Sequence, residues 1–168
     1  AVGRTETHLS ATHSSNSRAR PRFDLLRQDR PGRSGRGAGG GVCTYVNEST
    51  KCQQLDLQLG HTGVEVQCVL IQPETGPEVC LVTVYRPPSV LVSHFHKCFN
   101  RLLSTVCNSQ SGKSILIVGD LNLDLLTTGH NGRNQRERHA YCDGVSLQLC
   151  YIPYTLVLIL LVIAIMIT

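Results

Sequence analysis

Hydrophobic spacing along the chain changes twice, and each change marks an element. Val42-Cys43-Thr44-Tyr45-Val46 is a β-branched and aromatic run that predicts a strand, entered from glycines at 35, 37, 39, 40 and 41. Leu55, Leu57 and Leu59 alternate with polar partners, as a half-exposed strand does. Val64 to Ile71 and Val79 to Tyr85 are nearly continuous apolar runs, the pattern of strands buried on both faces. The turn-prone Gln72-Pro73-Glu74-Thr75-Gly76-Pro77 between them makes the pair a predicted hairpin. The period then becomes helical: Phe95, Phe99, Leu102, Leu103 and Val106 form one stripe, with Ser93 as N-cap and 108–112 as the stop. Ser114 to Val118 returns to a short buried strand ending at Gly119-Asp120-Leu121-Asn122. Strand, helix, strand, with polar residues at the strand end, is where α/β proteins place their chemistry.

The flanks read differently. Ser10 to Arg22 is polar and predicts loop, followed by a strand at Phe23 to Arg27 and a turn at Asp29-Arg30-Pro31-Gly32. Asn131 to Arg138 reads as polar loop or the exposed start of a helix that His139 to Cys150 continues. Leu149 to Thr168 is twenty residues without a formal charge. As a helix, at about 1.5 Å per residue, it would match the roughly 30 Å hydrocarbon core of a bilayer. With Arg133, Arg136 and Arg138 upstream, it predicts a transmembrane helix that attaches the chain to a membrane from its cytosolic side. The competing reading is out-of-context sequence following a truncated domain. Residues 1–150 are thus expected to form one α/β domain, with an Arg/Ser/Gly-rich arm at 10–40, and 149–168 a separate hydrophobic segment.

Charge sharpens the view of the arm. The net charge is +4, and residues 1–40 carry eight arginines against Glu6, Asp24 and Asp29, a local net of +5. Such an excess favours a polyanion such as nucleic acid, and equally suits a solvated, disordered arm. The glycines at 39–41 lack the Gly-Lys-Ser/Thr ending of a phosphate-binding loop, so they read as a close-packed or flexible turn. The eight cysteines, Cys43, Cys52, Cys68, Cys80, Cys98, Cys107, Cys142 and Cys150, form no CxxC pair. Several lie inside apolar segments, which points to small buried thiols in a reducing compartment. Arg4 and Glu6 are followed by polar residues, so no signal-like segment is expected at the front.

Glu6, Tyr85, Asp120 and Asn122 are the polar residues at predicted strand ends. Two carboxylates and an amide suit Mg²⁺, which takes hard oxygen ligands and keeps several waters. The ion would polarise a phosphoryl oxygen, an aspartate would orient or activate water, and a phenol would add a hydrogen bond. Taken singly, each has an ordinary explanation: a turn aspartate, a core tyrosine, a glutamate near a terminus.

Their ordered combination resembles a family. Thr5-Glu6-Thr7-His8-Leu9, Arg27-Gln28-Asp29-Arg30, Gly39-Gly40-Gly41-Val42 with Tyr45-Val46, Val84-Tyr85-Arg86-Pro87-Pro88 and Gly119-Asp120-Leu121-Asn122-Leu123-Asp124 are similar to the apurinic-type endonuclease domain of non-LTR (LINE-like) retrotransposons. That domain belongs to the endonuclease/exonuclease/phosphatase superfamily. The resemblance implies a four-layer α/β/β/α sandwich, present here in part, that cuts DNA phosphodiesters with Mg²⁺ or Mn²⁺ in the nucleus or cytoplasm. It further implies that Glu6 binds the metal, that Tyr85 reaches the scissile phosphate, that Asp120 activates water or stabilises phosphate, and that Asn122 orients that phosphate. Asp124 would be structural. The family's Asn-bearing first strand and closing Ser-Asp-His strand have no counterpart: after Asp124 the acids are Glu137 and Asp143, and His139 lies in no such sequence. With Ala1 in place of an initiator methionine, a truncated product with lost or weak activity is expected. The alternatives are a non-catalytic nucleic-acid-binding or membrane-attached remnant and a membrane-associated phosphoesterase.

Overall fold

The computed structural model describes residues 1–5, 7, 19–30, 40–57 and 63–122, and the backbone of 157–161. These residues build a mixed α/β architecture of eight strands in two sheets with one helix. The smaller sheet contains β1 (Val2–Thr5), β2 (Phe23–Gln28) and β3 (Val42–Asn47) in the order β1-β3-β2, all antiparallel. The larger sheet contains β4 (Lys51–Leu55), β5 (Glu65–Gln72), β6 (Val79–Tyr85), β7 (Ser114–Asp120) and β8 (Val157–Leu161) in sequence order. Pairing is antiparallel from β4 to β6 and parallel from β6 to β8.

The β5-β6 hairpin forms as expected, because both strands have two apolar faces to bury. On one face Cys68, Cys80, Val82 and Val84 join Ile115, Ile117 and Leu121 beneath α1 (Val92–Ser109). The helix answers with the predicted stripe of Phe95, Phe99, Leu102, Leu103 and Val106, all buried. Phe95 and Phe99 stack with ring centroids 5.3 Å apart. Its start differs from expectation. Ser93 is not the cap: the helix begins at Val92, with Leu91 in the cap position and no side-chain cap bond. A turn closed by Val90 N–H donating to Pro87 O (2.9 Å) delivers the chain into the helix there.

The other face of the larger sheet meets the smaller one across a buried polar row. Thr44 Oγ1 on β3 donates to Gln67 Oε1 on β5 at 2.8 Å, and Thr83 Oγ1 on β6 lies 3.4 Å from the same hydroxyl. Since Thr44 has spent its one proton, Thr83 is the donor in the second contact. Gln67 Nε2 then donates to Gln54 Oε1 and Gln54 Nε2 to Gln28 Oε1, at 3.2 and 3.1 Å. The chain of bonds runs from β6 through both sheets to β2. Gly3 on β1 packs so close to Thr83 and Val118 that a side chain there would overlap them.

Three further expectations are corrected. Of the strand expected at 55–59, residues 58–59 lie outside the described residues and Asp56 and Leu57 are not in a strand; the strand is Lys51–Leu55, entered from a tight turn in which Asn47 Oδ1 accepts from Ser49 N–H at 3.0 Å. The six described cysteines are free thiols, yet only Cys43, Cys68 and Cys80 are buried, and Cys98 and Cys107 are half-exposed. Cys68 and Cys80 place their sulfurs 3.6 Å apart. That hydrogen bond, with burial second, holds the Cys68 thiol well above the usual range.

The third correction concerns the tail. Val157–Leu161 is not part of a transmembrane helix but a strand, paired in parallel with Ile115–Gly119. No helix among the described residues is long and apolar enough to cross a membrane. This overturns the expected membrane span and the membrane attachment derived from it. The helix anticipated at 139–150 lies outside the described residues.

Removing a buried ring from α1 is expected to be costly. Phe95→Ala should lower unfolding free energy by about 3–5 kcal/mol, while Leu91→Ala, at a residue 73% exposed, should stay within about 0.5 kcal/mol. Urea titration followed by circular dichroism measures both.

Candidate functional site

Alternation along the strands places chemistry on one row. In β5, β6 and β7 the residues facing away from α1 include Glu65, Tyr85 and Asp120, and the strand register sets Glu65 opposite Tyr85 and Tyr85 opposite Asp120. In the smaller sheet the matching end holds Thr5, Val42 and Gln28, paired through β3. The C-terminal ends of β1, β2, β6 and β7 therefore gather at one end of the two sheets, together with the beginnings of β3 and β5.

The β7 end is built by interlocking turns. At Gly119 a Cβ would collide with the Val84 carbonyl, so only glycine lets β7 run this close to β6 just before Asp120. Asp120 Oδ1 accepts from Asn122 N–H at 2.8 Å, an Asx turn that uses one carboxylate oxygen and leaves Oδ2 outside the turn. Asn122 has a φ of +47°, a conformation asparagine tolerates better than most residues. Its Nδ2 donates to Arg86 O at 2.8 Å, which spends one of its two amide protons.

Arg86, following Tyr85 at the end of β6, is 5% exposed. Its guanidinium donates to Leu121 O at 2.6 Å, to Asn122 O at 2.7 Å and to Val90 O. Its own N–H donates to Asp120 O at 2.9 Å. One buried cation thus ties the loop after β7 to the turn before α1. Tyr85 itself is 2% exposed and packed within the fold.

Across the row, Glu65 joins the sheets. Its Oε1 pairs with Arg30 Nε and its Oε2 accepts from Gly41 N–H at 2.5 Å. Thr7 closes the same corner: its N–H donates to Gly41 O at 3.2 Å and its hydroxyl to Gly40 O at 3.3 Å. A Cβ at Gly40 would overlap the Arg30 guanidinium, so Gly40 and Gly41 form a close-packed turn around an ion pair. Arg27 meets Asp29 through two bonds, at 3.2 and 2.6 Å. Both arginines of the Arg27-Gln28-Asp29-Arg30 stretch therefore spend their charge on internal carboxylates.

Of the expected site residues, Tyr85, Asp120 and Asn122 are brought together, whereas Glu6 and Asp124 lie outside the described residues. Among the described residues, no group of three or more His, Cys, Asp or Glu converges as a metal cluster. Sequence reasoning missed Glu65 and Arg86. A lone acid opening an otherwise apolar run was the signal for Glu65, because a carboxylate there needs a partner.

Replacing Arg86 by Met is expected to cost about 2–4 kcal/mol by stripping several carbonyls of a charged donor. Amide hydrogen exchange should quicken at Leu121 and Asn122, whereas unchanged exchange would show that the loop holds its shape without the guanidinium.

Comparison with known proteins adds nothing to this geometry: no protein-family model, no curated protein and no solved structure matches the chain.

Proposed function

We propose that this chain carries a divalent-metal-dependent phosphodiesterase site of the endonuclease/exonuclease/phosphatase type, with DNA as substrate, and that its two sheets and α1 are part of a four-layer α/β/β/α sandwich. The observation that carries the reading is the parallel register that sets Tyr85 beside Asp120, with Asn122 locked two residues on.

Asp120 Oδ2 and Asn122 Oδ1 are hard oxygen atoms on one turn, the donor type that Mg²⁺ or Mn²⁺ takes alongside water and substrate phosphate. Such an ion supplies charge stabilisation to a phosphoryl oxygen. In this reading Asp120 accepts a proton from, or orients, the attacking water. Asn122, fixed by Arg86, presents its remaining N–H to a phosphate oxygen, and the Tyr85 phenol supports the same end of the sheet. Glu6 is the proposed further metal ligand. The 168 residues contain no Ser-Asp-His sequence, so the expected rate is low.

Nicking of supercoiled plasmid by the purified chain tests the proposal. Cleavage should require Mg²⁺ or Mn²⁺, stop with chelator, and fall by about 100-fold or more in Asp120→Ala and in Asn122→Gly. Glycine is the cleaner choice at 122 because it accepts the positive φ without strain. Nicking that survives both substitutions would sink this site. Metal-independent DNA retention with steep salt dependence and no cleavage would favour a non-catalytic binder instead.

A further inference from the structure

On α1, His94 and Cys98 stand four residues apart, one turn of helix, so both side chains leave the same face. Cys98 Sγ lies 3.4 Å from His94 Nε2 on the solvent side of the helix. In a tetrahedral zinc site, Zn–S is about 2.3 Å and Zn–N about 2.0–2.1 Å, which puts sulfur and nitrogen roughly 3.5 Å apart. The two donor atoms therefore already stand at nearly the separation that one metal ion would impose. Cys98 flanks the Phe95 and Phe99 stripe that packs against the sheet and is half-exposed, so helix packing fixes the backbone beneath the pair while His94 stays open to water.

We propose that His94 Nε2 and Cys98 Sγ form a two-ligand site for zinc or a similarly thiophilic divalent cation, with water in the remaining positions. The pair lies on α1, on the other side of the sheet from Asp120, and does not depend on the proposed phosphodiesterase reading. Binding forms an Sγ–metal and an Nε2–metal bond and releases the thiol proton to solvent, with no change of oxidation state. Lys97 and Arg101 lie on the same helix. Their positive charge opposes binding of any cation, so the affinity rests on the bonds to the thiolate and the imidazole.

Cobalt(II) serves as the probe on the reduced, full 168-residue chain, read by thiolate-to-cobalt charge-transfer absorption. One equivalent should produce the band, and zinc should displace it. Cys98→Ser should abolish it, Cys52→Ser should leave it intact, and His94→Gln should weaken binding by more than about tenfold, the lower end for losing even a ligand's supporting hydrogen bond. Both substituted side chains of the pair lie on the solvent side of α1, and an unchanged circular dichroism spectrum confirms that each variant folds. A band that persists in Cys98→Ser, or an affinity unchanged in His94→Gln, overturns the site and leaves the contact as a simple S–H···N hydrogen bond.

Discussion

Parallel neighbouring strands cannot be joined by a tight hairpin, so the chain between β6 and β7 must travel back along the sheet before β7 begins. Here α1 does that, and its Phe95 and Phe99 stripe is what holds the crossover against β5, β6 and β7. Because β6 and β7 then run in the same direction, Tyr85 and Asp120 finish side by side. Everything distinctive about the candidate site depends on that shared direction. The Asx turn at Asp120, the left-handed backbone of Asn122 and the buried Arg86 are local devices that shape the loop only once both strand ends are adjacent.

Much of this was legible in the sequence, for identifiable reasons. The helix stripe was readable because all five of its buried residues sit on the 3.6-residue period, and the β5-β6 hairpin because both runs are apolar on alternate and intervening positions. Asp120 and Asn122 stood out as polar residues at the end of an aliphatic strand. Other features depend on contacts no local pattern encodes. Glu65 meets Arg30, thirty-five residues away, and between Val64 and Val66 it looks like any strand-opening polar residue. The alternation of Leu55, Leu57 and Leu59 suggested a strand, but the Asn47 turn sets where pairing with β5 starts, four residues earlier.

The tail shows a deeper ambiguity. Val157 to Leu161 is uniformly aliphatic, and hydropathy alone treats a strand inside a parallel sheet and a stretch of bilayer-spanning helix as the same string. What separates them is a partner strand, and β7 offers an edge that accepts one. Arginine content misleads similarly. The excess over residues 1–40 suggested a surface for polyanions, yet Arg27 and Arg30 are committed to Asp29 and Glu65, so formal charge overstates the field these two present to solvent.

The hydrogen-bonded series through Thr83, Thr44, Gln67, Gln54 and Gln28 has a consequence for how the two sheets are aligned. Apolar surfaces slide over one another at little cost, since one methyl group substitutes for another. Amides and hydroxyls do not: moving either sheet by one residue would take Thr44 away from Gln67 and Thr83, and Gln28 away from Gln54, at about 1–3 kcal/mol for each partner left unsatisfied. The series lies one row beneath Glu65, Tyr85 and Asp120. It therefore works as a vernier for the end of the molecule where the chemistry is proposed, converting an interface that tolerates translation into one with a single preferred offset.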